Sequence, residues 1–236
     1  LLVPNSFLKP EYAYSFEAGL KYNSTDHQNF IELRSFTTLV SRHIVRSDFI
    51  VFSDQSTLSE NTILYNGEEV ITQANKNLGN RFIYGGTLEG RWVISNPIDF
   101  SGGITYTTAD KNSDYGPMPS IAPLFGTFTL THKRKKLRSL LIWRFSEAKS
   151  PSQYSWGGED GLIETPLINP LALNDVDRFF GMPSWSTWSL LAQYEFKKDV
   201  VFNLGLKNIF DLHYRTFASG ISSEGRSLQF GIKVKF

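Results

Sequence analysis

Between positions 148 and 184 stand Tyr154, Trp156, Arg178 and Phe179, and these are the side chains best suited to hold a ligand. Rings on a long connection can stack against a bound molecule, and an arginine can grip carboxylate or chelate oxygens through two parallel hydrogen bonds. The competing reading is that the same rings pack on one another and cover what lies beneath. None of the four histidines, His27, His43, His132 and His213, has the spacing of metal ligands, so solvated surface or the wall of the fold is their ordinary expectation. His213 alone, in the stretch 211–225, falls where it could touch a ligand. Asn174-Asp175-Val176-Asp177 resembles part of a calcium loop but lacks its glycine and its distant glutamate, which argues for a solvated loop and no metal. No serine, histidine and asparagine group together for nucleophilic catalysis, since the histidines fall in different strands and loops, and the absence of cysteine removes thiolate chemistry and disulfides at once. Neither an enzyme nor a bound cofactor is expected.

The elements that must carry these residues read as strands. From Tyr12 to Tyr22 the even positions are Tyr12, Tyr14, Phe16, Ala18, Leu20 and Tyr22, against Ala13, Ser15, Glu17, Gly19 and Lys21. Such alternation places an apolar set on one face of a sheet and a polar set on the other. The pattern recurs over Arg81–Ser95, where Tyr84, Leu88, Trp92 and Ile94 oppose Thr87, Glu89 and Arg91, and again over Phe100 to Tyr106. Phe125–Arg134 with Leu137–Glu147, and Trp185–Phe196 with Val200–Phe210, read as two hairpins. A stretch from about Phe30 to Phe52 is irregular, because Ile31 and Leu33 suggest one face and Phe36 the other, and a bulge is expected there. Arg226 to Phe236 closes the series without a break, with Leu228, Phe230, Ile232, Val234 and Phe236 on the apolar side. Inward Glu89, Arg91 and Arg144 are expected to line a wall.

Connection lengths then distinguish the two ends of this sheet. Segments 23–28, 96–99, 134–136 and 197–199 are tight, whereas 53–80, 109–122, 148–184 and 211–225 are long. Tight turns at one end and long loops at the other are how barrels crossing an outer membrane are built, with the tight end periplasmic. Tyr22, Trp92, Phe100, Phe196 and Phe236 all fall near the tight end, as an aromatic girdle at the lipid interface requires; a soluble sandwich would scatter them. No run of about 18 apolar residues is present, which a barrel does not need, since half of each strand faces a polar interior. With 24 basic against 23 acidic residues there is no overall field to gather nucleic acid, and Lys133-Arg134-Lys135-Lys136 is a solvated turn cluster. The fold class is therefore all-β, a transmembrane antiparallel β-barrel, with outer-membrane lipid as a partner. Nine strands are counted; because bacterial barrels have even numbers and an open edge in lipid is costly, the sequence is expected to be a portion of a longer polypeptide that closes the barrel.

Several segments are similar to one family. Asn5-Ser6-Phe7-Leu8-Lys9-Pro10-Glu11 and the strand after it, Gly85-Gly86-Thr87-Leu88-Glu89-Gly90, Pro117-Met118-Pro119-Ser120-Ile121-Ala122-Pro123, and Asn203 to Asp211 followed by Tyr214-Arg215 and Gly225-Arg226, together resemble the C-terminal part of an outer-membrane TonB-dependent receptor. The resemblance implies about nine strands of a 22-stranded barrel, residues 1–236 being its C-terminal portion. It further implies a plug domain and N-terminal strands outside this sequence, a TonB complex acting through that plug, and assembly machinery that reads Leu228, Phe230, Ile232, Val234 and Phe236. A surface-exposed accessory protein is a further candidate partner. The implied function is active uptake of a ferric chelate, such as a siderophore, or of a comparable scarce nutrient complex. A passive porin, or a receptor or adhesin without transport, is the alternative. No histidine lies close in sequence to Lys9-Pro10-Glu11, which disfavours haem.

Overall fold

The computed structural model describes residues 1–50, 62–110 and 116–235. Within them run β1 (Tyr12–Asn23), β2 (Phe30–Ser41), β3 (Ile44–Asp48), β4 (Thr62–Tyr65), β5 (Glu68–Ile71), β6 (Gln73–Asn77), β7 (Arg81–Ser95), β8 (Ile98–Ala109), β9 (Phe125–Arg134), β10 (Leu137–Ser146), β11 (Trp185–Lys197), β12 (Val200–Lys207) and β13 (Ser227–Val234). Nine of these form a single antiparallel sheet in the order β1-β2-β7-β8-β9-β10-β11-β12-β13. Every neighbour in space is thus the next wall strand in sequence, the up-and-down arrangement of a barrel wall. The connection from β2 to β7 carries two small ribbons of its own, β3 with β6 and β4 with β5.

Period-two patterning sets the two faces. Leu130 sits opposite Leu141, Leu141 opposite Leu190, Leu190 opposite Leu206, and Leu206 opposite Leu228, so one apolar row crosses five strands. Leu130, Leu190 and Leu228 are solvent-open in the isolated chain and Leu141 and Leu206 half-buried, while Tyr14, Phe16, Leu20, Trp92 and Phe230 are also exposed. A face of this kind is stable only against hydrocarbon. Above the tight turns a second row stacks Phe100 on Phe128, Phe128 on Trp143 and Trp143 on Trp188, with ring centroids 5.5, 5.4 and 5.6 Å apart. Gly102 is what permits the first contact, since a Cβ there would stand 2.4 Å from the Phe128 ring. The Trp143 indole N–H, which lipid could not satisfy, donates to the Ser186 hydroxyl at 2.8 Å.

Two readings of the sequence are corrected. The expected strand from Phe30 to Phe52 ends at Ser41, and β2 pairs with β1 and β7 in continuous register with no bulge. Phe36 is no change of phase: it points inward opposite Gly85, whose missing side chain leaves room for the ring. Left-handed Arg42 then turns the chain into β3. The register shifts lie elsewhere, between Val93 and Ser95 and between Glu195 and Lys197, next to tight turns. Likewise β12 stops at Lys207 rather than running to Phe210, because Asn208 takes φ 46° and its side chain closes the following loop. Residues 51 and 52 of the predicted strand, 53–61 and 111–115 of the predicted loops, and Phe236 lie outside the described residues.

The inner face is polar. Across β1, β2 and β7 a ladder of charge runs from Lys21 to Glu32 at 2.9 Å, Glu32 to Arg34 at 3.0 Å, and Arg34 to Glu89 at 2.7 Å. Glu32 and Glu89 stand directly opposite each other, and Arg34 is the cation that makes the pair tolerable. Arg91 and Lys133 share Asp99 at 3.6 and 3.9 Å. Further round, β10 to β13 present Arg138, Gln193, Asn203 and Gln229 around a shallow hollow at Gly205 and Gly231.

Candidate functional site

Two buried cations organise the long-loop end. Arg81, the first residue of β7, is wholly buried. Its Nε donates to Asp110 Oδ1 at 3.1 Å, one terminal nitrogen to the Asp110 carbonyl at 2.9 Å, and the other to the Gly116 carbonyl at 3.2 Å. The planar guanidinium thereby pins the chain on both sides of the crossing that leaves β8. Lys149, three residues beyond β10 and only 3% exposed, donates to Asp160 Oδ2 at 3.0 Å and to the Ile121 carbonyl at 2.7 Å. The other Asp160 oxygen accepts from the Ser120 amide at 2.7 Å. The Lys149 ammonium also lies over the Phe217 ring at 4.0 Å and the Tyr154 ring at 5.1 Å. One side chain thus ties together loops 109–122, 148–184 and 211–225.

Burial perturbs both members of this cluster that titrate at high pH. The Lys149 ammonium is pushed below its ordinary value by desolvation, against the opposing pull of Asp160. Tyr154 is pushed up to about 12, first by desolvation, with the Asp160 charge adding and a hydrogen bond with the Met182 backbone opposing.

Between these two anchors lies a cavity of about 660 Å³, lined among others by Asp110, Gly116, Met118, Glu147, Lys149 and Trp156. Its size suits a small organic ligand or one face of a larger complex. Trp156 is 66% exposed, yet its ring rests on the backbone of Gly116, where a Cβ would stand 2.5 Å from the indole. Gly116 also has φ +69°, so both the space and the backbone call for glycine.

Of the residues singled out from the sequence, Trp156 lines this cavity. Tyr154 is buried beneath, edge-on to Phe217 at 6.3 Å. Arg178 ends a four-residue helix α1 (Asp175–Arg178), and Phe179 bridges back to Leu167; neither is among the lining residues. His213 is exposed on the 211–225 segment and also outside the lining. The Asn174 to Asp177 stretch is a helix cap, with the Asn174 side chain accepting from the Asp177 amide at 2.9 Å. Among the described residues no cluster of three metal-binding side chains occurs.

His43 requires a correction. Distant from Lys9-Pro10-Glu11 in sequence, it is brought by the turn at Arg42 to 3.0 Å from Glu11 Oε2, the oxygen that also accepts from the Ile44 amide at 2.7 Å. It is buried rather than solvated, and its Nε2 has no partner. Glu11 is thus paired with a histidine that lies 32 residues away in the sequence.

Sequence reasoning missed Arg81, Asp110, Lys149 and Asp160. Arg81 carried one weak signal, a charge where the outward-inward alternation of β7 begins. The separation of Lys149 from Asp160 matches no motif, and only the fold pairs them.

A nine-stranded antiparallel wall with a lipid-compatible outer face, a polar inner face and structured loops at one end defines part of an outer-membrane β-barrel. Residues 1–209 match the family described as TonB dependent receptor-like, beta-barrel, and the chain belongs to that family. It is a family of receptors and transporters rather than enzymes. Comparison with curated protein sequences gives no match. Among solved structures, the siderophore receptor PirA from Acinetobacter baumannii aligns over 100% of this chain and 33% of its own, with 19% identity and a TM-score of 0.71. The copper transporter OprC aligns over 98% of this chain and 33% of its own, at 17% identity and a TM-score of 0.69. The pyoverdine receptor FpvA from Pseudomonas aeruginosa aligns over 98% and 31%, at 18% identity and a TM-score of 0.62. The chain thus spans about a third of these proteins' length.

Proposed function

We propose that the chain is the C-terminal part of a 22-stranded barrel that takes up a ferric chelate, or a comparable scarce nutrient complex, at the expense of energy delivered by the TonB complex through a plug domain. The observation carrying this reading is the cavity at the long-loop end, held open by Arg81 and Lys149 above a polar inner wall. A general diffusion pore has no use for a pre-shaped pocket with two buried cations behind it. Support also comes from neighbours that are, by their own descriptions, a siderophore receptor, a pyoverdine outer membrane receptor and a copper transporter.

Trp156 is the leading contact residue, and Arg178, Phe179 and His213 are candidates for a ligand large enough to extend beyond the cavity. Tyr154 acts by supporting the loop. The ionic ladder Lys21-Glu32-Arg34-Glu89 would face the plug. Leu228, Phe230, Ile232 and Val234 of β13, with Phe236 continuing the same set in the sequence, are what assembly machinery would recognise. The exposed crest at Leu167, Ile168, Leu171 and Leu173 is where a surface-exposed accessory protein would touch.

The test is uptake of labelled ferric chelates by cells carrying the full-length protein, with and without TonB. Uptake lost when TonB is removed supports the reading; uptake that is unsaturable and indifferent to TonB identifies a passive porin instead.

A further inference from the structure

The tight turns at the periplasmic end are unlike one another in charge. Residues 24–29, between β1 and β2, and 96–97, between β7 and β8, hold no lysine or arginine. At the β9–β10 turn every residue from Lys133 to Lys136 is basic, and Lys197 and Lys198 stand side by side at the end of β11. Turn geometry does not ask for this, since Lys135 has φ 51°, a left-handed position where asparagine or glycine is the ordinary choice. Lys133 leans on Asp99 at 3.9 Å, and Lys198 belongs to a hollow of the inner side with Glu195, Asp199, Lys233 and Lys235. Arg134, Lys135, Lys136 and Lys197 are exposed and have no ion pair among the described residues.

These cations border the lipid-facing surface. Arg134 is in phase with outward Phe128 and Leu130, and its row in the sheet continues through Leu137, Tyr194 and Phe202. Phe196 packs on Phe202 with ring centroids 5.8 Å apart. Around Phe196 the charges gather: the Lys197 ammonium lies over its ring at 5.7 Å, and Lys136 Nζ donates to its carbonyl at 3.2 Å. Cations at the rim of an aromatic face fit a ligand that is itself divided, with apolar chains beside the rings and a negative head at the turn. A soluble polyanion would leave the rings unused, and a zwitterionic lipid brings its own cation to the phosphate.

We propose that the outward rim of the β9–β10 and β11–β12 turns binds an anionic phospholipid of the periplasmic leaflet. Arg134, Lys136 and Lys197 meet the head group, and Tyr194, Phe196 and Phe202 flank the chains. The contact holds this side of the wall at head-group depth, which the uncharged β7–β8 turn has no means to do. It rests on the barrel's place in the outer membrane and not on the uptake reading above, so TonB-dependent uptake and lipid binding can fail separately.

The test is native mass spectrometry of the purified full-length receptor in nonionic detergent. It is titrated separately with phosphatidylglycerol, with phosphatidylethanolamine, and with glycerophosphoglycerol, the anionic head group without its chains. Wild type is expected to hold phosphatidylglycerol more tightly than either of the others, and to lose affinity as salt rises. Arg134→Gln, Lys136→Gln and Lys197→Gln should each weaken the tightest phosphatidylglycerol complex by about fivefold, and the triple variant by more than any one of them. Arg138→Gln removes the same charge from the inner face of β10 and should leave that complex unchanged. All four side chains are exposed, so folding should survive, which retention of heat-resistant barrel mobility on a gel checks. Equal retention of the zwitterionic lipid by wild type would overturn the proposal, as would indifference of the triple variant or an equal loss in Arg138→Gln. Equal affinity for the free head group would also overturn it and identify a site for a soluble anion instead.

Discussion

Arg34 and Lys149 are both cations that meet carboxylates at bonding distance, 2.7 and 3.0 Å, yet they do different work. Arg34 lies on the inner wall with 42% of its side chain open, midway along a ladder in which each carboxylate has water as an alternative partner. Lys149 lies under the outer loops, shut away from water with Asp160, two backbone groups and two rings around the pair. Removing a charge from the wall leaves groups that solvent can satisfy. Removing one from the loops leaves an orphan in a place water does not reach. Distance alone does not distinguish these cases; the surroundings do.

The largest effect should therefore come from Lys149→Ala or Asp160→Ala. Each would destabilise the loop cluster by about 3–5 kcal/mol, because an unpaired buried charge remains. Limited proteolysis should then cut within 148–184 while the barrel wall persists, and replacing both residues together with apolar ones of similar volume should restore much of the resistance. If Arg34→Ala proved equally damaging, the contrast between wall and loops would fail. A smaller loss, about 1–3 kcal/mol, is expected for Asn208→Ala, whose side chain donates to the Leu212 and Glu224 carbonyls and accepts from the Leu212 amide. Hydrogen exchange at residues 208–226 reads it. Arg34→Ala itself should cost less than either and shrink further at high salt, measured by denaturant unfolding in micelles.

The smallest effect concerns pH. Tyr154 in the fold has its pKa raised from 10.0 to about 12. Its contribution is thus complete below pH 10 and is lost as pH rises through 12, since the unfolded phenol ionises first. Lys149, depressed by burial, has the opposite slope: its penalty grows as pH falls through its lowered value. Tyr154→Phe should remove the alkaline loss between pH 10 and 12 without touching the Lys149 trend. Phenolate absorbance checks this, as a step near pH 12 should be present in the wild type and absent from Tyr154→Phe.

Much of the wall was legible from residues alone. Tyr12 to Tyr22, Arg81 to Ser95, and the hairpins through Lys135 and Lys198 alternate because one face must meet hydrocarbon and the other water, and a one-residue slip would invert every side chain. Phe36 misled because the period-two rule describes a typical inner face, and Gly85 makes an exception of one site. The loop end was legible only as length. Tyr154 and Trp156 are two residues apart and equally aromatic, yet one is buried under Phe217 and the other is open on Gly116; nothing in their local sequence separates them. His43 and Glu11 are likewise paired only because Arg42 turns the chain back.

What the sequence determined by itself was therefore the repeating part: which strands exist, which way each face points, and that the outer face belongs in lipid. Those follow from a local period acting against a two-phase environment. Only the tertiary structure decided which loops converge and that Arg81 and Lys149 are used as internal struts. Such outcomes depend on pairings between residues far apart in sequence, and on burial, which changes the cost of a charge more than the charge's identity does.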